Sequence, residues 1–217
     1  MIAALGVHDL ALFAFTVLVL NATPGVDMLC ALSRTLAGGW RAGLAASLGI
    51  SAGCALHVLA AAFGLAALLA VSPWAFMAIK AGGAGYLLWL ALGMLRAAWR
   101  PATVVAAAQA GGPRAHSWRA DLRLGLLTNL LNPKVALFVL AFLPQFITPD
   151  AAHLTGAFLL LGAWMVLQGT LFLVALVLLA DRARRLGGSP AGLRALNGLG
   201  GLLFAALALR LVRSELA

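Results

Sequence analysis

Asn21-Ala22-Thr23-Pro24-Gly25-Val26-Asp27 and Asn129-Leu130-Leu131-Asn132-Pro133-Lys134 decide the fold, because each sets a proline among polar residues inside a long apolar run. In lipid an unpaired backbone carbonyl or amide costs several kcal/mol, so a helix is interrupted at depth only where the freed groups face protein or a polar cavity. Two such interruptions in one chain are how a solute site is built within a membrane.

Composition establishes the solvent. Of 217 residues, 64% are hydrophobic and 10% charged, and the mean hydropathy is +1.04, outside the range of a water-soluble domain. A span takes about 20 predominantly apolar residues. Six are predicted, over 10–32, 42–70, 74–95, 122–147, 152–180 and 193–212. No Lys or Arg precedes the first run and no small-x-small pattern follows it, so it is expected to stay as a span rather than be cleaved as a signal. Cys30 and Cys54 fall within spans at no metal or redox spacing and read as small apolar residues.

The net charge of +9 does not point to nucleic acid once the charges are placed. Arg34 and Arg41 fall between the first and second spans, Arg96, Arg100, Arg114, Arg119 and Arg123 between the third and fourth, and Arg182, Arg184, Arg185 and Arg194 between the fifth and sixth. The links on the other side carry none, and only Arg210 and Arg213 lie at the end of the last span. The positive-inside rule then puts the basic loops in the cytoplasm and both termini outside, with the arginines also available to anionic lipid headgroups.

The polar stretch 99–121, with Gln109-Ala110-Gly111-Gly112-Pro113 at its centre, reads as a cytoplasmic linker between residues 1–98 and 122–217 of one membrane domain. Each side holds three spans, and three is odd. The second set therefore crosses in the opposite sense, which predicts an all-α polytopic membrane protein of two inverted three-helix repeats with broken first and fourth helices.

Depth agrees with the repeat: at 1.5 Å per residue, Thr23 lies on the order of 20 Å from the outer end of its span and Asn132 about 15 Å from the inner end of its own. Thr23-Pro24 and Asn132-Pro133 are each predicted to be a capping residue followed by proline at the first helical position. A restarted helix aims unpaired N–H groups and its positive end at the gap, favouring an anion, and the carbonyls of Leu20 and Asn129, released upstream, would accept from an ammonium group or a cation. The plainer alternative is a pair of proline kinks that only shape packing.

Asn21-Ala-Thr-Pro-Gly-Val-Asp27, the glycine spacing from Gly43 to His57, Lys80-Ala-Gly-Gly-Ala-Gly-Tyr86, and Leu131-Asn-Pro-Lys134 leading to Phe142-Leu-Pro144-Gln-Phe146 together resemble the LysE/RhtB family of bacterial amino-acid exporters, closest to its RhtB-like, homoserine/threonine efflux type. The likeness covers nearly the whole chain, with Val26 standing where the family often has a second proline. It implies proton-coupled efflux of amino acids or close derivatives across the bacterial inner membrane.

Among the polar residues, Asp27 lies in the first turn after Pro24, and an isolated carboxylate in a span costs about 2.5–3.5 kcal/mol on insertion scales. It reads as a proton carrier or partner for a substrate ammonium, or else as a helix-dipole carboxylate paired with Arg34. Lys134 is placed to bind a substrate carboxylate or to pair with Asp27, while Lys80 is within snorkelling reach of the outer surface. His57 ends the row Ala45, Gly49, Gly53, His57, a small-residue face that packs closely on protein; it is expected to be hydrogen-bonded there, with a proton relay as the alternative. Tyr86, Gln168, Asn129 and Asn197 are expected to make interhelical hydrogen bonds, with Gln168 and Asn129 deep enough to line a cavity.

The candidate substrate- and ion-binding residues are thus Asn21, Thr23, Pro24, Gly25, Asp27, His57, Tyr86, Asn129, Asn132, Pro133, Lys134 and Gln168, with no metal ligand set and no cofactor. No catalytic motif of an intramembrane enzyme and no Walker motif occurs, so uphill transport would draw on an ion gradient or a separate subunit. An ion channel or metal-ion exporter of related fold is the alternative, since carbonyl-lined breaks also pass ions. In the cycle these residues suggest, deprotonated Asp27 holds the substrate ammonium. The helix starts after Pro24 and Pro133, with Lys134, hold its carboxylate, and protonation from outside releases the solute. Glycine-rich faces leave a homodimer open.

Overall fold

A computed structural model describes residues 5–71, 74, 117–148 and 151–185, and all regular elements among them are helical. In chain order they are α1 (Leu10–Ala22), α2 (Val26–Val71), α3 (Trp118–Leu130), α4 (Pro133–Phe142), a 3-10 turn (Leu143–Phe146) and α5 (Leu154–Arg185). The expected spans at 74–95 (beyond Trp74) and 193–212, with Lys80, Tyr86 and Asn197, lie outside the described residues, as does 99–116 of the linker. Two helical stretches, Leu154–Arg185 and Val26–Gly64, the latter divided by a turn at Gly39, are long and apolar enough to cross a membrane. A third is the pair Trp118–Leu130 and Pro133–Phe146, bent by 55°, if it counts as one span.

α2 is two helices joined at Gly39, whose φ of 77° and ψ of −175° fit glycine alone. Eight residues of straight helix would carry Thr35 about 12 Å along the axis from Gly43. Instead a Cβ at Gly43 would strike the Thr35 hydroxyl and lie 3.1 Å from Thr35 Cβ, so the chain doubles back at Gly39. The hairpin divides α2 into two antiparallel helices.

The helix after Gly39 lies against α3 with backbone on backbone. A Cβ at Gly49 would collide with the Leu122 carbonyl, one at Gly125 would collide with the Ala46 carbonyl and lie 3.0 Å from Ala46 Cα, and one at Gly53 would lie 2.9 Å from Asn129 Cβ. The small-residue row predicted from the sequence is therefore the face that meets α3. α3 itself begins at Trp118, inside the stretch read as linker, where the Ser117 hydroxyl accepts from Ala120 N at 3.4 Å.

The broken pairs α1/α2 and α3/α4 cross in opposite senses. At one end Val7 and Ile147 form an antiparallel bridge, with Thr148 N donating to Gly6 O at 2.9 Å and His8 N to Phe146 O at 3.1 Å. At the other, basic end the Arg34 guanidinium pairs with the buried Asp121 carboxylate. Asp181, buried near the end of α5, accepts from Trp40 N at 3.1 Å, Arg184 Nη2 at 3.1 Å and Arg185 Nε at 2.6 Å, which fastens α5 to the Gly39 turn.

Two apolar clusters lie between these ends. The larger joins Phe13 and Val17 of α1, Val58 of α2, Phe138 and Phe142 of α4, Phe146 and Leu161, with Phe138 stacked on Phe142 at 4.3 Å and Phe13 edge-on to Phe146 at 5.2 Å between ring centroids. The smaller, on the basic side, is Ala31, Ile50, Leu173 and Val177. Outward, α5 presents Trp164, Leu167, Leu171 and Leu178, an apolar stripe suited to lipid.

Candidate functional site

The first break does not cap as its sequence suggests. Thr23 Oγ1 donates back to Val19 O at 2.7 Å, and Thr23 N donates to Val19 O at 3.0 Å and Leu20 O at 3.2 Å, so the residue closes α1. A threonine hydroxyl commonly satisfies the carbonyl four residues behind it, and here that competes with forward capping. α2 starts at Val26, with the Gly25 carbonyl accepting from Leu29 N at 3.0 Å, and Pro24 stands in the gap rather than at a first helical position.

The second break follows expectation: the Asn132 side chain accepts from Lys134 N at 3.0 Å and Pro133 is the first residue of α4. Leu20 O and Asn129 O are not released, however. The former takes Thr23 N, and the latter takes Asn132 N at 2.9 Å and His57 Nε2 at 3.3 Å. What the breaks offer a solute is side chains more than those carbonyls.

The side chains converge on Asp27. Its Oδ2 accepts from Asn129 Nδ2 at 2.8 Å and Asn132 Nδ2 at 3.1 Å, which ties the first turn of α2 to both sides of the second break. Lys134 and His57 lie within Coulomb range of the carboxylate. The Lys134 ammonium also donates to Thr23 O at 3.4 Å, where a cation suits the negative end of α1. Arg34, weighed as a partner for Asp27, pairs with Asp121 instead.

Around this knot is a cavity of about 80 Å³, lined by both breaks, the second half of α2 and the middle of α5. It lies between the two apolar clusters, borrowing Val135 and Met165 from one and Ile50 and Leu173 from the other. Three polar atoms of cavity-lining residues are buried without a hydrogen-bond partner: Asn21 Nδ2, Asp27 Oδ1 and Asn129 Oδ1. The orientation of Asn129 is fixed by its amide donating to Asp27, so its oxygen remains as an acceptor. One donor and two acceptors desolvated together are costly in an apolar surround.

A family model described as LysE type translocator matches residues 18–215. The chain belongs to that family. This translocator is 32% identical to a leucine efflux protein of Enterobacter sp. over 97% of its own length and 98% of the relative's. It is 28% identical to a homoserine/homoserine lactone efflux protein of Salmonella typhimurium over 88% and 90% of the two chains, and 35% identical to an uncharacterized membrane protein of Pseudomonas aeruginosa over 80% of each. No solved structure matches it significantly. Membership makes the chain a membrane transporter of a family that exports amino acids.

Of the candidates read from the sequence of this translocator, Asn21, Thr23, Gly25, Asp27, Asn129, Asn132 and Lys134 line the cavity. Pro24 and Pro133 shape the breaks, and Tyr86 lies outside the described residues. His57 sits behind Asn129, packed and bonded to its carbonyl. Gln168 belongs elsewhere, donating to Ala14 O at 2.9 Å and accepting from the outward-facing Trp164 indole at 2.9 Å. Its neighbours Gly169 and Thr170 face the cavity in its place, with Ser51 opposite Thr170. The sequence gives no sign of either hydroxyl's role, which only the rotation of each helix decides. Among the described residues no three His, Cys, Asp or Glu side chains gather as metal ligands.

Proposed function

We propose that this chain is a secondary exporter of small amino acids or their derivatives, driven by inward proton flow across the bacterial inner membrane. In this reading it has six spans in two inverted three-helix halves, with both termini outside. The observation that supports the substrate class is the set of buried, unsatisfied groups on residues that line the cavity: Asp27 Oδ1 and Asn129 Oδ1 as acceptors and Asn21 Nδ2 as donor. An α-amino acid headgroup complements them, its ammonium donating to the two oxygens and its carboxylate accepting from Asn21 and Lys134. Homoserine, homoserine lactone and leucine, the solutes in the relatives' names, share the α-amino group that the two oxygens would hold, and homoserine and leucine share the carboxylate as well.

Asp27 serves both steps. Ionised, it holds the ammonium; protonated from outside, it loses the charge that held it, while Asn129 and Asn132 keep the side chain in place. The opposed crossing of the two broken pairs supports inverted halves that rock about the shared knot. Passage of a bare cation suits the chamber less, because Lys134 stands in the same wall.

The test is uptake into proteoliposomes with an imposed pH gradient, read with a panel of labelled amino acids. Accumulation should require the gradient and collapse with a protonophore. Transport indifferent to the gradient removes the antiport, and absence of counterflow for every amino acid removes the exporter.

A further inference from the structure

Thr170 of α5 and Ser51 of α2 meet in the wall of the cavity that Asp27 also lines. Thr170 Oγ1 lies 2.7 Å from Ser51 Oγ and 2.7 Å from Val166 O, and Ser51 Oγ lies 3.0 Å from Ser47 O. Each hydroxyl has one hydrogen. A 2.7 Å contact between two oxygens needs a hydrogen between them, so one is used there and the other on a helix carbonyl. Both donors are then spent, and what the pair still presents is lone pairs.

The surroundings make that polarity conspicuous. Met28, Met165, Phe172 and Leu173 supply the neighbouring cavity surface, so a solute reaching this wall meets one acceptor patch in an apolar frame. The patch is near the headgroup site: a Cβ at Gly169, next to Thr170, would lie 3.4 Å from Asn21 Oδ1. A solute held by Asp27, Asn129 and Asn21 would have the two hydroxyls within the same chamber as its side chain.

We infer that Ser51 and Thr170 determine side-chain specificity, accepting a hydrogen bond from a substrate bearing a β- or γ-hydroxyl and disfavouring its methyl isostere. This rests on the amino-acid reading above and extends it from headgroup to side chain. A methyl group in the same place would leave the oxygens facing hydrocarbon, whereas a hydroxyl satisfies them. The discrimination expected is about tenfold, the weight of one neutral hydrogen bond.

Counterflow in proteoliposomes of the full chain tests it with two isosteric pairs, L-threonine against L-valine and L-homoserine against L-norvaline. The wild type should favour the hydroxylated member of at least one pair by about tenfold in half-saturation. Thr170→Val and Ser51→Ala should bring that ratio near one by weakening the hydroxylated member alone, and Thr170→Ser should restore it. Counterflow of the methyl isostere within each variant reports that the variant is folded. Equal preference in the wild type, or variants that keep the ratio, overturns the assignment even if amino acids are transported. No counterflow with any of the four compounds overturns this subsite, and the exporter reading falls with it only when the full amino-acid panel fails as well.

Discussion

Asp27→Asn isolates the charge of the proposed ammonium site from the architecture that holds it. Both hydrogen bonds to Asp27 converge on one oxygen, from Asn129 at 2.8 Å and Asn132 at 3.1 Å, and an asparagine keeps an oxygen there. The other oxygen, buried and unsatisfied, becomes an NH2 group, so an acceptor for ammonium turns into a donor that opposes it. Losing a charge-assisted hydrogen bond costs about 1.5–3 kcal/mol, and two unit charges about 4 Å apart attract by about 4 kcal/mol at an effective dielectric of about 20. These overlap, so we take about 2–4 kcal/mol, which at about 1.4 kcal/mol per decade is roughly a 30- to 1000-fold weaker half-saturation. Counterflow reads this without a gradient, and melting in detergent should stay within about 1 kcal/mol of wild type because the Asn129 and Asn132 contacts survive. Unchanged half-saturation in a folded Asp27→Asn protein would refute the ammonium site, and full gradient-driven accumulation would remove Asp27 from the coupling.

Gly39→Ala should destabilise by about 1–3 kcal/mol, since alanine is strained at that backbone angle and its Cβ would also approach the Arg184 guanidinium to 3.0 Å; a thermal melt in detergent checks it. Asp121→Asn leaves Arg34 without its carboxylate in a mostly buried setting and should cost about 3–5 kcal/mol, seen as lower melting and faster proteolysis at the basic end. Gly125→Val would drive a side chain into the backbone at Ala46, costing about 1–3 kcal/mol or more as α2 and α3 part, and cross-linking between cysteines placed on the two helices should fall. Asn132→Ser keeps a cap for α4 but drops one bond to Asp27, whereas Asn132→Ala loses both; a difference near ~1 kcal/mol in stability between them would measure the cap.

The breaks are legible in the sequence because proline and asparagine disrupt an apolar helix wherever they fall together, and Asn132-Pro133 behaves as those residues predict. Thr23 misleads for a local reason: the same hydroxyl can point forward or back, and sequence does not say which carbonyl competes for it. Gln168 reads as a cavity residue, yet Gly169 and Thr170 line the chamber. One residue turns a helix by about 100°, so depth can be right while facing is wrong. The glycine row from Gly49 to Gly53 shows its facing correctly, since such a smooth face gains most from a close protein neighbour. Asp121 and Asp181 are structural anchors whose visible signal is an acid set among arginines; the sequence alone does not say which arginine each one meets. The Gly39 hairpin is legible as a boundary between spans but not as a turn that Asp181 fastens.

The two sides of the chamber are flanked by different materials. Toward Ile147 the barrier is a nest of phenylalanines, and toward Arg34 it is a thin aliphatic layer backed by guanidinium–carboxylate clasps. Dissolved electrolyte reaches the half-exposed Arg184 and Arg185 on Asp181, and scarcely touches the mostly buried Arg34–Asp121 pair or the phenylalanines. Under the proposed alternation between the two sides, ionic strength on the arginine side should act on the α5 clasp at Asp181 and leave the aromatic side unchanged.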